Sequence, residues 1–377
     1  MSPNIHKLLK TTVDRDASDL HITTQIPPRI RINGSLVSLD YPPLTPSETK
    51  TLIYSLLTDK QKKTFEEKLE LDFSFGIEDL GRFRANVFMQ KSAVAAAIRR
   101  FMPSMWSFEQ LGLPQSLAKL CFLPRGLVLV TGPTGSGKTT TLACLIDHVN
   151  KERPVHIVTI EDPIEYYFTP KKAVINQREL HVDTHSFPNA LRAVLREDPD
   201  VVLVGEMRDM ETVESTLRVA ETGHLTFSTL HTNSAAETIS RIVDVFPADY
   251  QAQVRIMLSM CLQAVLTQAL LPRADGKGRV VALEILLLNP AVRNLIRENK
   301  IHQIYSTMQM GQSKFGMQTF NQSLADLYFR KLITLKTAMD ASSKPDELTD
   351  IIQRREGGHH LQSSSAATKV GNSNRRL

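Results

Sequence analysis

The sequence predicts an α/β protein: a P-loop core of the doubly wound kind with a smaller α+β domain ahead of it. Three observations carry this. The run Gly132-Pro133-Thr134-Gly135-Ser136-Gly137-Lys138-Thr139-Thr140 stands between an apolar strand-like segment, Gly126 to Val130, and a helix-like one. From Gly126 onward, short apolar or β-branched runs alternate with helical patterns, as in a parallel sheet covered on both faces. Ahead of it, apolar and polar residues alternate in strand fashion between turn residues, with helical stretches interposed.

Taken in order, Asp19-Leu20-His21-Ile22 through Arg29 to Val37 alternate around Asn33-Gly34, the pattern of a hairpin. Thr45-Pro46-Ser47-Glu48 opens a helix with a cap and an early proline, and a second helix covers about Asp59 to Leu69. Strands near Leu71 to Phe75, Arg82 to Gln90 and Ala93 to Phe101 complete the first domain, residues 1–104, with its boundary near Met102-Pro103-Ser104. The core domain, residues 105–356, has four strands: Leu127 to Val130, Val155 to Ile160, Val201 to Val204 and Leu225 to Leu230. From about Asp249 the chain reads as helical, apart from a strand near Val280 to Leu287. Residues 357–377 are rich in Ser, Gly, Asn and Thr and have too little apolar surface to fold, so a disordered tail is expected, its His359-His360 pair merely solvated. There is no internal repeat.

Composition bounds the function. The 377 residues are 42% hydrophobic and 23% charged, which suits a soluble protein of two domains. Of the net charge of +5, Lys369, Arg375 and Arg376 in the acid-free tail supply three, leaving +2 for the body, which is no nucleic-acid footprint. Cys121, Cys144 and Cys261 lie far apart inside apolar stretches, without the close pairs of a zinc site. The richest apolar run, Val280 to Leu288, is too short to cross a bilayer and contains Glu284, and no signal peptide precedes it. A cytoplasmic location is expected.

The glycine-rich run has the makings of a phosphate cradle. Its glycines let backbone N–H groups turn inward, Lys138 can reach the outer phosphates, and the Thr139 hydroxyl is placed to ligate Mg²⁺. Leu142, Leu145, Ile146 and Val149 recur at helical spacing behind it and seat the helix on the sheet. The ligand implied is a nucleoside triphosphate.

Ligands of open α/β sheets gather beyond the carboxyl ends of the strands. There the second core strand runs into Glu161-Asp162-Pro163-Ile164-Glu165, the third into Gly205-Glu206-Met207-Arg208-Asp209 and the fourth into His231-Thr232-Asn233. Phosphoryl transfer to water needs a cation, a carboxylate to hold it and a group that orients the water. Glu206 stands where a Walker B acid would hold Mg²⁺ or its bound water, Glu165 or Glu161 would polarise the attacking water, and His231 would sense the terminal phosphate. Any one of these acids also reads as a helix cap or a surface ion pair; agreement at four strand ends does not.

These motifs, in this order and over nearly the whole chain, resemble the secretion ATPase superfamily of pilus and type II secretion motors. Ala17-Ser18-Asp19-Leu20-His21-Ile22 is similar to its opening signature, Ile160 to Glu165 to its Asp box, Val204 to Asp209 to its Walker B segment, and Gly223-His224 through His231-Thr232 to its His box. Ala291-Val292-Arg293-Asn294-Leu295-Ile296-Arg297-Glu298 and Gly316-Met317-Gln318-Thr319-Phe320 resemble motifs of its retraction branch. The resemblance implies a PAS-like N-terminal domain, a RecA-like core that hydrolyses ATP with Mg²⁺, and a homohexameric ring. It also implies an inner-membrane platform protein of the type IV pilus as partner, a paralogous retraction ATPase as another, and retraction of the pilus, hence twitching motility, as the task. Arginines of the N-terminal domain complete the site in this family, and Arg82, Arg84 and Arg99 occupy the matching segments; each, like Arg192, Arg196 and Arg208, also reads as an ordinary surface cation. Extension ATPases are longer and carry a cysteine-rich zinc module that this sequence lacks. An accessory paralogue within the retraction branch itself, which shares much of the same pattern, an assembly or secretion ATPase, a nucleotide-binding adaptor with little turnover and a DNA-translocating motor are the competing readings, the last without any basic and aromatic stripe.

Overall fold

A computed structural model describes residues 3–32, 34–101 and 105–356. Asn33, the expected boundary at Met102-Pro103-Ser104 and the expected tail at 357–377 lie outside the described residues. Two compact units are present: Met1–Met105 with Asp162–Phe168, and Trp106–Glu161 with Thr169–Leu377.

The first unit opens with α1 (Ile5–Asp14), followed by β1 (Asp19–Ile22), β2 (Arg29–Ile32) and β3 (Ser35–Ser38). After α2 (Pro46–Tyr54) and α3 (Asp59–Lys68) come β4 (Glu70–Ile77), β5 (Gly81–Gln90) and β6 (Ala93–Arg100). Thr45 and Thr58 open α2 and α3 with capping boxes, closed by Glu48 and Gln61. The strands form one antiparallel sheet in the order β3-β2-β1-β6-β5-β4. One face buries Leu20, Ile30, Phe83 and Ile98 against Leu8 and Leu9 of α1, Ile53 of α2 and Phe65 of α3. The sequence pattern does not predict α1, whose buried face is only Leu8, Leu9 and Thr12. This is the PAS-like α+β domain.

The second unit begins with α4 (Phe108–Leu111) and a 3₁₀ segment (Gln115–Phe122), then alternates β7 (Gly126–Thr131), α5 (Lys138–Glu152), β8 (His156–Glu161), β9 (Val174–Glu179), α6 (Phe187–Val194), β10 (Val201–Val204), α7 (Met210–Glu221), β11 (Leu225–Leu230) and α8 (Ala235–Asp244). There follow α9 (Ala248–Cys261), β12 (Leu262–Pro272), β13 (Arg279–Leu287), α10 (Pro290–Arg297), α11 (Ile304–Met310), α12 (Gln312–Phe315), α13 (Phe320–Phe329), α14 (Leu335–Ala341) and a last helix over residues 345–356. The sheet order is β13-β12-β7-β11-β10-β8-β9, with every neighbouring pair parallel except β12 with β13. Leu127 through Val130 are wholly buried, as a strand covered on both faces must be, and each such side chain contributes about 1.5–3 kcal/mol. This is the RecA-like core.

One prediction for this unit is overturned. Residues 262–272 are not helical but form β12, an eleven-residue strand between β7 and β13. Leu, Ala and Gln are good helix formers, and a strand buried on both faces loses the alternation that would reveal it. β9 is likewise unpredicted.

Two buried carboxylates tie helices down. Glu284 on β13 accepts the backbone N–H of Ala235 at 2.7 Å and that of Phe320, so one side chain satisfies the first turns of both α8 and α13; burial pushes its carboxyl up despite these bonds. Asp147 on α5, 3% exposed, accepts from Lys151 Nζ at 2.7 Å and Lys171 Nζ at 2.5 Å. Asn150 adds bonds to Thr169 O and Lys171 N, so residues 169–171 are strapped to α5. Burial works to raise the Asp147 carboxyl, but the bonds and charges of the two lysines together prevail and hold it below the usual range. The stability this brings is present above the ordinary aspartate pKa of about 3.9 and lost as pH falls through the lower folded value. Asp147→Asn is expected to cost about 1–2 kcal/mol in denaturant unfolding at pH 7, with the gap to the parent closing below about pH 4.

Candidate nucleotide site

The strand order dictates which strand ends meet. Because β11 lies between β7 and β10, His231 after β11 stands between the loop after β7 and Glu206 after β10. The contacts follow that order. Lys138 Nζ lies 3.4 Å from His231 Nδ1, His231 Nε2 lies 3.1 Å from Glu206 Oε1, and Arg208 Nε donates to Glu206 Oε2 at 2.9 Å. An ammonium only donates, so Nδ1 accepts and the ring's other nitrogen donates to the carboxylate. Thr134 Oγ1 approaches the same Nδ1 at 3.5 Å.

The loop is built as a cradle. Gly132, Gly135 and Gly137 all have positive φ, and a Cβ on Gly132 would sit 2.2 Å from the Gln268 carbonyl oxygen and 2.7 Å from Ser136 Oγ. Lys138 folds back over it, donating to the carbonyls of Gly132 at 2.9 Å and Pro133 at 3.1 Å. α6, α7 and α8 are capped by Ser186, Asp209 and Ser234, whose side chains accept a first-turn N–H; α5 starts at Gly137 with no side-chain cap. No capping side chain thus occupies the start of α5, and the dipole of a fifteen-residue helix favours an anion there. Ser136 Oγ is buried with no hydrogen-bond partner. Phosphate oxygens fit both features. Thr139 and Thr140, half-buried, follow in the first turn of α5.

A model of the type II/IV secretion system protein family matches residues 1–280. The chain belongs to this secretion ATPase family. It is 49% identical over 343 residues to the type IV pilus retraction ATPase PilT of Pseudomonas aeruginosa, covering 91% of this chain and 99% of that one. It is 48% identical over 346 residues to a twitching motility protein of Neisseria gonorrhoeae, covering 92% of each. A crystal structure of the pilus retraction motor PilT with bound ADP superposes with a TM-score of 0.86 at 54% identity, over 92% of this chain and 99% of that one. Like other secretion ATPases the chain is a P-loop ATPase, and no helix among its described residues is long and apolar enough to cross a membrane.

The structure places the other predicted residues as follows. Glu161, the last residue of β8, is buried; its carboxylate accepts from Thr159 Oγ1 at 2.6 Å and Gln177 Nε2 at 3.3 Å. Glu165 belongs to the first unit, in the loop Asp162–Phe168. Cross-strand pairing of Arg84 with Arg99, and of Arg99 with Asp19, puts Arg82, Arg84, Arg99 and Asp19 on one face of the first unit's sheet. Arg99 donates to Asp19 at 2.9 Å, Arg84 grips Asp72 through Nε and Nη2, and Arg82 donates to Ser74 at 2.5 Å while its guanidinium lies 4.3 Å from the Tyr167 ring centre. The Asp72 hydrogen bonds, against the opposing effect of burial, raise the Arg84 pKa, with Asp162 and Glu165 adding their charge.

Asp209 caps α7 through Thr212, and Arg192 pairs with Glu211. In the retraction-like helix α10, Val292 and Ile296 are buried while Arg293 donates to the carbonyls of Ser259 and Met260 and to Gln263, tying α10 to the end of α9. Gln268 contacts the loop, and no sequence motif points to it.

Proposed function

We infer that this secretion ATPase hydrolyses ATP to power type IV pilus retraction, and with it twitching motility. The supporting observation is the linked chain of Lys138, His231 and Glu206 beside the glycine cradle, in a protein 49% identical to a named retraction ATPase over 91% of its length. Residues Gly132 to Thr140 hold the phosphates, with Lys138 on the outermost ones. Thr139 and Glu206 would hold Mg²⁺, a hydroxyl and a carboxylate being oxygen donors that suit this hard ion, and the ion would supply charge neutralisation at the transferred group. His231 contacts the terminal phosphate, and Glu165 or Glu161 polarises the attacking water. Arg82, Arg84 and Arg99 serve as the cations of the first domain that reach a nucleotide.

The working assembly is a homohexamer at the cytoplasmic face of the inner membrane, seated under the pilus platform protein and joined by a paralogous retraction ATPase. Residues 1–104 act as the PAS-like domain and 105–356 as the RecA-like domain. Assembly ATPases of this superfamily carry a cysteine-rich zinc module; here Cys121, Cys144 and Cys261 are free and buried, with thiols pushed up to about 12 by burial. Deleting the gene is expected to leave cells with abundant surface pili that neither retract nor support twitching. Cells without pili would instead identify an assembly motor. Light scattering of the purified chain with ATP and Mg²⁺ is expected to give six times the monomer mass, and a monomer at working concentration would refute the ring.

A further inference from the structure

The unpredicted strand β12 runs parallel to β7 on the side away from β11, with Thr267 opposite Thr131, so its next residue, Gln268, comes level with the first glycine of the loop. Gln268 is 2% exposed. Its Nε2 donates to the Ser136 carbonyl at 2.6 Å, and its Oε1 accepts from the Thr141 hydroxyl at 2.9 Å. The amide orientation is forced: a carbonyl oxygen can only accept, so the NH₂ end must face Ser136. The same residue limits the loop sterically, its backbone oxygen at Gly132 and its Nε2 3.3 Å from where a Cβ on Gly137 would lie.

A trans peptide is planar, with its C=O and N–H pointing in opposite directions. Holding the Ser136 oxygen toward β12 therefore turns the Gly137 N–H away from β12. Thr141 is in the first turn of α5, so the other end of the amide fixes the helix start to the same strand. We propose that Gln268 is a positioning residue for the nucleotide: without touching it, Gln268 sets the orientation of the Ser136–Gly137 peptide and hence the aim of the cradle's amides. This rests on the reading of Gly132 to Thr140 as the phosphate cradle.

Gln268→Glu tests it, because a carboxylate cannot donate to the Ser136 carbonyl whereas a protonated carboxyl can. In this buried place the introduced acid titrates well above the usual glutamate range. At pH 8 the variant is expected to bind ADP at least tenfold more weakly than the parent by calorimetry, with KM for ATP raised similarly and kcat changed less than about threefold. That split is the mark of an amide used equally by ground and transition states. Lowering the pH to 6 is expected to restore at least half of the lost affinity on a logarithmic scale, while the parent stays flat. Gln268→Met fills the same space without either bond and is expected to show the weakening with no pH recovery.

Affinities within twofold of the parent in both variants would overturn the proposal. So would a loss in Gln268→Glu that is as insensitive to pH as that in Gln268→Met, since packing alone would then explain it. Should the Glu variant fail to fold, Gln268→Met at unchanged ADP affinity overturns the proposal, and at tenfold weaker affinity with parental kcat supports it. Lys138→Ala, run alongside, reports on the cradle itself: loss of ADP binding there keeps that reading intact whichever way Gln268 falls.

Discussion

Lys138→Ala is expected to reduce ATP turnover by about 10²–10³-fold while the protein remains folded. Lys138 Nζ already sits among oxygen acceptors, the carbonyls of Gly132 and Pro133, and beside His231 Nδ1. A cation on a flexible stem at the mouth of a cradle of amides is placed to follow negative charge as it moves from the transferred phosphoryl group to the leaving group. Alanine removes that charge and supplies nothing in its stead, so the loss falls on the transition state more than on folding. In the fold itself the substitution gives up two hydrogen bonds to loop carbonyls, about 1 kcal/mol each at most. Phosphate release in the steady state, measured with thermal unfolding of the same preparation, checks both halves. Turnover within a few-fold of the parent would show that the hydrolytic site lies elsewhere. A collapsed unfolding temperature would move Lys138 from the chemistry to the fold.

What the sequence disclosed is what lies contiguous in it. The run from Gly132 and the residue His231 each directly follow, and Glu206 follows after one intervening residue, a strand whose apolar run is plain in the sequence, so recognising the strand fixes its end, and a parallel sheet gathers those ends on one side. Strand order was not legible, yet it decides that His231 is the middle member of the chain from Lys138 to Glu206.

The other omissions have the same character. Gln268 reaches the cradle from 132 residues away in the chain, along a strand whose Leu, Ala and Gln residues suit a helix as well. Arg84 and Arg99 were legible as cations, but their carboxylates, Asp72 and Asp19, lie 12 and 80 residues away and are set by antiparallel register, to which composition is blind. The loop Asp162–Phe168 has the sequence of a strand-end motif of the core, yet it groups with the first unit. Glu161 and Glu165, four residues apart, therefore stand in different surroundings, Glu161 buried against Thr159 and Gln177 at the end of β8. Sequence spacing alone treats them as interchangeable.

Glu206→Gln is the second large effect. The Glu206 carboxylate accepts from His231 Nε2 on one oxygen and from Arg208 Nε on the other, and its side chain is 20% exposed. Both oxygens face donors, so the glutamine NH₂ must meet one of them with a donor of its own, and the anionic charge disappears. If Glu206 holds the metal shell, the variant loses charge just where Mg²⁺ is to be retained, and kcat is expected to fall by about 10²–10³-fold with KM for ATP changed only a few-fold. Raising the Mg²⁺ concentration is then expected to recover part of the activity, because the hydroxyl proposed at Thr139, with phosphate and water, would still bind the ion, only less tightly. Glu206→Ala is expected to lose as much turnover without the donor clash, which separates charge from geometry. A Glu206→Gln enzyme whose activity is low and indifferent to Mg²⁺ would assign the residue to orienting His231 and Arg208 instead, and one that turns over at the parental rate would remove Glu206 from the mechanism altogether.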